Sequence, residues 1–341
     1  MKPTAGPLLH IRLPRVHAAA GQAGRNITVK VNSDTGQPAG FSRLKLFFAL
    51  SRTPHGLLDM ATPAFAALLW LGDFPPLNII ILGLVTTFAG YTAVYALNDV
   101  IDHRVDRQKI DRGGLGDAED YLDAMMVRHP LARGLLSLKE AMVWAGGWTL
   151  AALLGAYLLN PVCVLIFVAG CTLEVVYCLM WRISHLRTIV SGGVKTSGAM
   201  AAVFAVDPRP APEYLLILFL LLFFWEIGGQ NIPADWTDIE EDRRMAARTI
   251  PVRFGTERAN RIILSTLTLA VAINLVLFYR APARFEGAYF LASLVVGLYL
   301  LLIPALRLYR TGARRQAMSL FNKASYYPLT LLLVVLTKIV I

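Results

Sequence analysis

The sequence predicts an all-α membrane protein, a bundle of about nine transmembrane helices around a cavity that opens toward the cytoplasmic side. Three observations predict it. The 341-residue chain is 56% hydrophobic and only 16% charged, with a mean hydropathy of +0.53, too apolar for a soluble enzyme of this length. Apolar runs of roughly 18–22 residues recur along it, each long enough to cross a hydrocarbon core of about 30 Å. Lysine and arginine collect between alternate runs.

Taken in order, residues 1–45 are polar, carry Pro and Gly, and have no acid before Asp34. They read as a flexible extension, with 46–341 as the membrane domain. The spans fall near 56–73, 78–97, 140–159, 161–180, 188–206, 214–232, 261–279, 286–306 and 319–340. The fifth contains "SGGVKTSGAM", whose small and polar residues suit a helix packed inside a bundle. Between spans, 107–138 and 233–260 read as long inside loops, and loops of that length are usually binding elements or lids. Cys163, Cys171 and Cys178 all fall in span four without CxxC or Cys/His spacing, which indicates helix packing and neither a disulfide nor a zinc site.

With the N-terminus inside, basic residues such as Arg43, Arg52, Arg104, Arg107, Lys109, Arg182, Arg187, Arg243, Arg248, Arg307 and Arg314 fall on the inner face, whereas the outer loops hold only Arg209, Arg280 and Arg284. This is the positive-inside pattern, so the formal net charge of +10 reports topology. The basic residues form short separate loops with no continuous stripe, which gives no reason to invoke nucleic acid. Oligomeric state leaves no mark in the sequence.

Two acidic stretches stand out against this background. "NDVIDHRVD" follows span two and supplies Asn98, Asp99, Asp102 and Asp106; "DWTDIEED" follows span six and supplies Asp235, Asp238 and Asp242. Residues i, i+3 and i+7 share a helical face, and both stretches emerge on the same side of the membrane. Grouped carboxylates repel unless a cation lies between them. An all-oxygen ligand set favours a hard divalent ion, and Mg²⁺ characteristically combines a few carboxylates with phosphate oxygens of a substrate. A single such stretch is as well explained by solvated loop acids paired with neighbouring arginines; two with one spacing on one membrane face are not.

At these residues the chain resembles the UbiA superfamily of intramembrane prenyltransferases, whose NDxxDxxxD and DxxDxxxD motifs the two stretches match. "RTIPVRFG" and "HPLARGLLSLKEA" are similar to family segments after the second motif and before span three. The resemblance spans roughly residues 45–341. It implies a quinone-pathway enzyme of the bacterial inner (plasma) membrane with its active site toward the cytoplasm. Mg²⁺ would be held by Asn98, Asp99, Asp102, Asp106, Asp235, Asp238 and Asp242, with Asp102, Asp106, Asp238 and Asp242 catalytic. The partners would be a polyprenyl diphosphate and an aromatic acceptor.

Asn98, Arg52, Tyr177, Arg182 and Lys195 are the substrate-binding candidates. Arg52 resembles a basic residue before span one in the family and reads equally as a positive-inside anchor. Tyr177 and Arg182 come from "YCLMWR", in which Trp181 stands where the family has lysine. Inside the spans, Glu174, Lys195 and Glu226 need partners or a wet cavity at membrane depth. Lys195 reads as a contact to phosphate or to an acceptor carboxylate, or equally as a structural partner of Glu174 or Glu226. Tyr91, Tyr95, Phe223, Phe224 and Trp225 offer ring faces for a carbocation, although packing is the commoner role of such rings. "DIEED" is similar to the menaquinone branch, with Ala246 and Ala247 in place of its Gly-Lys, and the first motif is nearer the hydroxybenzoate type. The acceptor thus stays open between 4-hydroxybenzoate and dihydroxynaphthoate types, with homogentisate, haem, lipid or phosphoribose branches as alternatives. A cation transporter is the rival class. It would spread ionisable groups to both sides of the midplane, whereas here the acids gather on one face.

Overall fold

The computed structural model describes residues 43–112, 126–282 and 285–341. Residues 1–42 of the expected extension lie outside them; residues 43–45 belong to the first helix instead. The helices are α1 (Arg43–Leu50), α2 (Thr53–Asp59), α3 (Ala61–Leu71), α4 (Leu77–Asp111), α5 (Leu138–Leu159), α6 (Pro161–Leu179), α7 (Arg187–Val206), α8 (Pro212–Trp225), α9 (Ile232–Thr237), α10 (Ile239–Arg244), α11 (Ile250–Arg280), α12 (Gly287–Gly297), α13 (Ile303–Thr311), α14 (Arg314–Ser325) and α15 (Tyr327–Val340). A 3₁₀ turn continues α6 to Arg182, and π-turns join α8 to α9 (Glu226–Asn231) and α12 to α13 (Leu298–Leu302). No strand occurs among the described residues.

Among the described residues, eight helical segments are long and apolar enough to cross a membrane, and they coincide with the second to ninth expected spans. The first expected span differs. It is divided into α2 and α3 at Met60, and the break leaves each piece too short to cross alone. Leu77, Ile81 and Val85 on α4, Leu150, Leu154 and Leu158 on α5, and Leu165 on α6 stay exposed. Apolar side chains on a helix surface of this extent fit contact with lipid tails.

Local sequence explains where the helices start. Ser137 caps α5 in a reciprocal capping box with Glu140, and this fixes the end of "HPLARGLLSLKEA" against the bundle. Asn160 ends α5 and caps α6 through Val162 N–H, with Pro161 at the first position of the new helix, so two spans are joined by one residue. Small residues then set the packing distance. Ala89, Ala93 and Ala96 of α4 and Ala141, Ala145, Ala152 and Ala156 of α5 are all buried, and these two helices pack closely.

The second expected inside loop is largely helical, whereas among the described residues of the first only 107–111 and residue 138 are helical and 126–137 form turns. α4 runs on to Asp111, so the first acidic stretch lies on an unbroken extension of span two; residues 113–125 lie outside the described residues. The 233–260 stretch contains α10, most of α9 and the start of α11. A hydropathy window registers only the apolar part of a long helix, which is why these extensions read as loops. α11 bends at Gly255, whose φ of +81° belongs to the region that glycine enters at no steric cost.

Candidate active site

Asp99 and Asp106 lie seven residues apart on α4, almost on one line along the helix, and both are buried. The segment after residue 126 brings His129 onto this line. Its Nδ1 lies 2.9 Å from Asp106 Oδ2 and 3.5 Å from Asp99 Oδ1, and ligand atoms of the three residues all fall within 4.8 Å of one another. Burial works against the imidazolium, but the Asp99 and Asp106 carboxylates outweigh it and raise the His129 pKa to about 9. His129 also has φ +50°, a strained backbone of the kind that clusters at functional sites. Asp102 sits beside the pair, half-buried, and its carboxylate is not part of that tight group.

The second motif is not one continuous helix. Asp235 is in α9, Asp242 is in α10, and Asp238 sits at the junction with φ −110° and ψ 13°. The break turns Asp235 and Asp242 inward, where both are buried. Asp235 Oδ2 has no hydrogen-bond partner. Burial and the Asp235 carboxylate push the Asp242 pKa up. A site with a surplus of buried carboxylate and an orphaned oxygen is one that a cation fits.

Basic residues join the two motifs. Arg187, at the start of α7, is buried, lies 3.3 Å from Asp235 Oδ1, stacks 4.2 Å from the centroid of the Tyr177 ring and is within electrostatic reach of Asp242 and Asp102. Lys109 from α4 lies 3.8 Å from Glu241 and 4.7 Å from the centroid of the Trp181 ring. Trp181 thus has one cation from another helix in addition to its neighbour Arg182, whose guanidinium lies 5.4 Å from the ring centroid. Arg112 donates to the Arg244 carbonyl, which ties the end of α4 to the second motif. Arg52, in a left-handed conformation with φ +44°, donates to Asn98 Oδ1 at 3.2 Å and Asp99 Oδ1 at 3.3 Å. Asn98 in turn donates to Glu174 Oε1 at 2.7 Å.

Below the motifs lies a cavity of about 460 Å³. Asn98, Tyr177, Asn231 and Ala234 line it next to the aspartates, while Ile79, Ile80, Leu84 and Phe167 give it an apolar wall. Tyr177 receives a hydrogen bond from Asn231 at 3.0 Å. The polar residues Glu226, Gln230 and Asn231 reach the cavity from the π-turn, a local widening that often marks a functional site in a helix.

Several expectations shift at this level. Lys195 lines the cavity, and its ammonium pairs with Asp59 at 2.6 Å and not with Glu174 or Glu226. Arg182 is exposed and donates to Gln108, away from the cavity lining. Tyr91 and Tyr95 line the cavity, whereas Phe223, Phe224 and Trp225 do not; Trp225 is fully buried and donates to the Ala324 carbonyl. His129, Arg187, Lys109 and Asp59 escaped the sequence reading. Lys109 and Arg187 read as ordinary charges of inner loops and His129 only as the first residue of "HPLARGLLSLKEA", but Asp59 had a usable signal, an acid inside an otherwise apolar run.

This site and its bundle define an intramembrane transferase. The UbiA prenyltransferase family model matches residues 60–327, and the chain belongs to that family. A 4-hydroxybenzoate octaprenyltransferase of Pseudomonas fluorescens (strain SBW25) is 28% identical over 242 residues, 70% of this chain and 74% of the relative. Its counterpart from Aliivibrio fischeri (strain MJ11) is 23% identical over 252 residues, covering 73% of this chain and 81% of the relative. Among solved structures, a UbiA homologue from Archaeoglobus fulgidus bound to GPP and Mg²⁺ aligns with a TM-score of 0.64 at 18% identity, covering 87% of this chain and all of that one. The apo UbiA homologue from Aeropyrum pernix K1 gives a TM-score of 0.67 at 20% identity over 83% of this chain and 97% of that one. The chain is a multi-pass integral membrane prenyltransferase, and the transporter alternative falls away.

Proposed function

We propose that the protein transfers a polyprenyl group from a polyprenyl diphosphate to an aromatic acceptor of quinone biosynthesis, in a Mg²⁺-dependent reaction, with 4-hydroxybenzoate the first acceptor to test. The observation that carries this reading is the convergence of two aspartate motifs around Arg187 at the rim of a largely apolar cavity. The names of the bacterial relatives support the acceptor.

Asp99, Asp102 and Asp106 on one side and Asp235, Asp238 and Asp242 on the other would hold the metal, with Asn98 beside them. Mg²⁺ bound there supplies positive charge that neutralises a departing diphosphate. The chain's own cations add to that field. Arg187, between the motifs, and Arg52, anchored on Asn98 and Asp99, place fixed charge where leaving-group charge develops. The apolar wall keeps water from the allylic carbon, and the faces of Tyr91 and Tyr95, both lining the cavity, favour positive charge near them.

The purified protein with Mg²⁺ and a long-chain prenyl diphosphate is expected to release pyrophosphate only when an acceptor is present. Offering 4-hydroxybenzoate, dihydroxynaphthoate and homogentisate in parallel, with mass spectrometry of the lipid fraction, identifies the branch. Failure of all three to give a prenylated product removes the aromatic assignment.

The basic loops support an inner-membrane location with the aspartates toward the cytoplasm. Lys139→Cys and Thr256→Cys, at exposed positions of the two inner-loop regions, are then labelled from the cytoplasmic face, and Glu286→Cys from the other. Labelling of Lys139→Cys and Thr256→Cys from opposite faces ends the shared-rim arrangement.

A further inference from the structure

A second polar cluster lies deeper in the cavity than the aspartates. Lys195 follows Arg187 by eight residues on α7, Glu226 precedes Asp235 by nine, and Tyr95 precedes Asp99 by four. At a helical rise of 1.5 Å per residue these offsets set the cluster back by roughly 6–13 Å on three different helices. A diphosphate anchored at the aspartates extends its allylic carbon in this direction, and the nucleophilic ring must come within about 3.5 Å of that carbon. The cluster therefore lies where a polar substituent of the acceptor has to be received.

Its connections are almost complete. Asp59, 3% exposed, accepts hydrogen bonds from Lys195 at 2.6 Å and from the Tyr95 hydroxyl. Ser191 donates to Glu226 Oε1 at 2.6 Å. The remaining oxygen, Glu226 Oε2, is buried and has no partner, although Glu226 is only 6% exposed and lines the cavity together with Lys195 and Ser191. A buried carboxylate oxygen without a donor is costly unless a ligand supplies one. The charge balance states which kind of ligand. The Lys195 cation already faces Asp59 directly and Glu226 within electrostatic reach, so it is not free to receive a carboxylate, and Glu226 Oε2 lacks a hydrogen-bond donor.

We propose that Glu226 selects and orients the acceptor, its Oε2 receiving the hydrogen bond of an acceptor hydroxyl, so that the acceptor is a hydroxyarene held hydroxyl-first against the wall formed by Ser191, Glu226 and Lys195. The proposal rests on the prenyl-transfer reading above. It assigns Lys195 the task of holding Asp59 and Glu226 in place. A phenolic hydroxyl that donates to a carboxylate also leaves its ring richer in electrons, which suits attack on an allylic cation.

The test uses binding, not turnover. Purified full-length protein in detergent, without metal or prenyl diphosphate, is titrated calorimetrically with 4-hydroxybenzoate and 4-methoxybenzoate, and with 1-naphthol and 1-methoxynaphthalene. The wild type is expected to prefer each hydroxyl compound over its methyl ether by about 10–100-fold, the effect of leaving a buried acceptor unpaired. Glu226→Gln reduces that preference to a few-fold, and Ser191→Ala, which releases the other oxygen of the same carboxylate, gives an intermediate ratio. Mg²⁺-dependent geranyl diphosphate binding stays unchanged in both variants. Retention of the full hydroxyl preference by Glu226→Gln protein that binds geranyl diphosphate normally overturns the proposal, as does a wild type with no preference in either pair. Should Glu226→Gln not fold, an unaltered preference in Ser191→Ala overturns it equally. Absence of Mg²⁺-dependent geranyl diphosphate binding in the wild type is a separate result, which removes the prenyl-transfer reading and the proposal with it.

Discussion

Asp106→Asn and Asp238→Asn proteins are each expected to transfer polyprenyl groups about 10²–10³ times more slowly than the wild type, the usual loss when one preorganised electrostatic partner of a transition state is removed. Each change removes one unit of negative charge while leaving the side chain's shape. Asp106 is buried against His129, and Asp238 sits where α9 gives way to α10; they belong to different motifs, so equal sensitivity at both is what a shared diphosphate requires. Glu240→Gln is the control. Glu240 lies in the same acidic stretch but is exposed, and it contacts Arg243 at 3.3 Å on the surface, so its loss should leave the rate unaltered. Initial rates across a Mg²⁺ titration decide the matter. A full rate in either aspartate variant removes the two-motif mechanism, and a slow Glu240→Gln protein assigns the effect to general acidity of the loop.

The sequence made the aspartates legible because their spacing is a local property: i, i+3 and i+7 on a helix need no knowledge of the rest of the fold. That logic holds for Asp99 and Asp106 and weakens at Asp238, where the helix breaks. Partners contributed by other elements carry no such local mark. His129 comes from the far side of the 113–125 stretch, Arg187 from the start of α7, and Asp59 meets Lys195 across 136 residues of sequence. Charge at an inner loop is explained equally well by topology, and only three-dimensional packing separates Arg187, buried on Asp235, from Arg182, exposed on Gln108. The break at Met60 was illegible for a related reason. An unbroken apolar composition describes a span without saying whether one helix or two deliver it.

Lys195→Met is expected to destabilise the protein by about 3–5 kcal/mol, the typical cost of removing one member of a buried ion pair. Asp59 is buried with Lys195 as its 2.6 Å partner, and Glu226 depends on the same cation from further away. The loss of Lys195 therefore leaves two buried carboxyl groups without a counter-charge. Asp59→Asn is the milder change, because the ammonium it strands still has Glu226 within electrostatic reach, so the two single variants should be ordered with Lys195→Met the less stable. The double variant Asp59→Asn/Lys195→Met is expected to recover much of the loss, since neutralising both partners leaves no uncompensated charge between them. Unfolding of the detergent-solubilised proteins along a sodium dodecyl sulfate titration measures all three. Strictly additive losses would show that Lys195 and Asp59 do not act as a pair, and the reverse order of the single variants would show that Glu226 does not share the lysine.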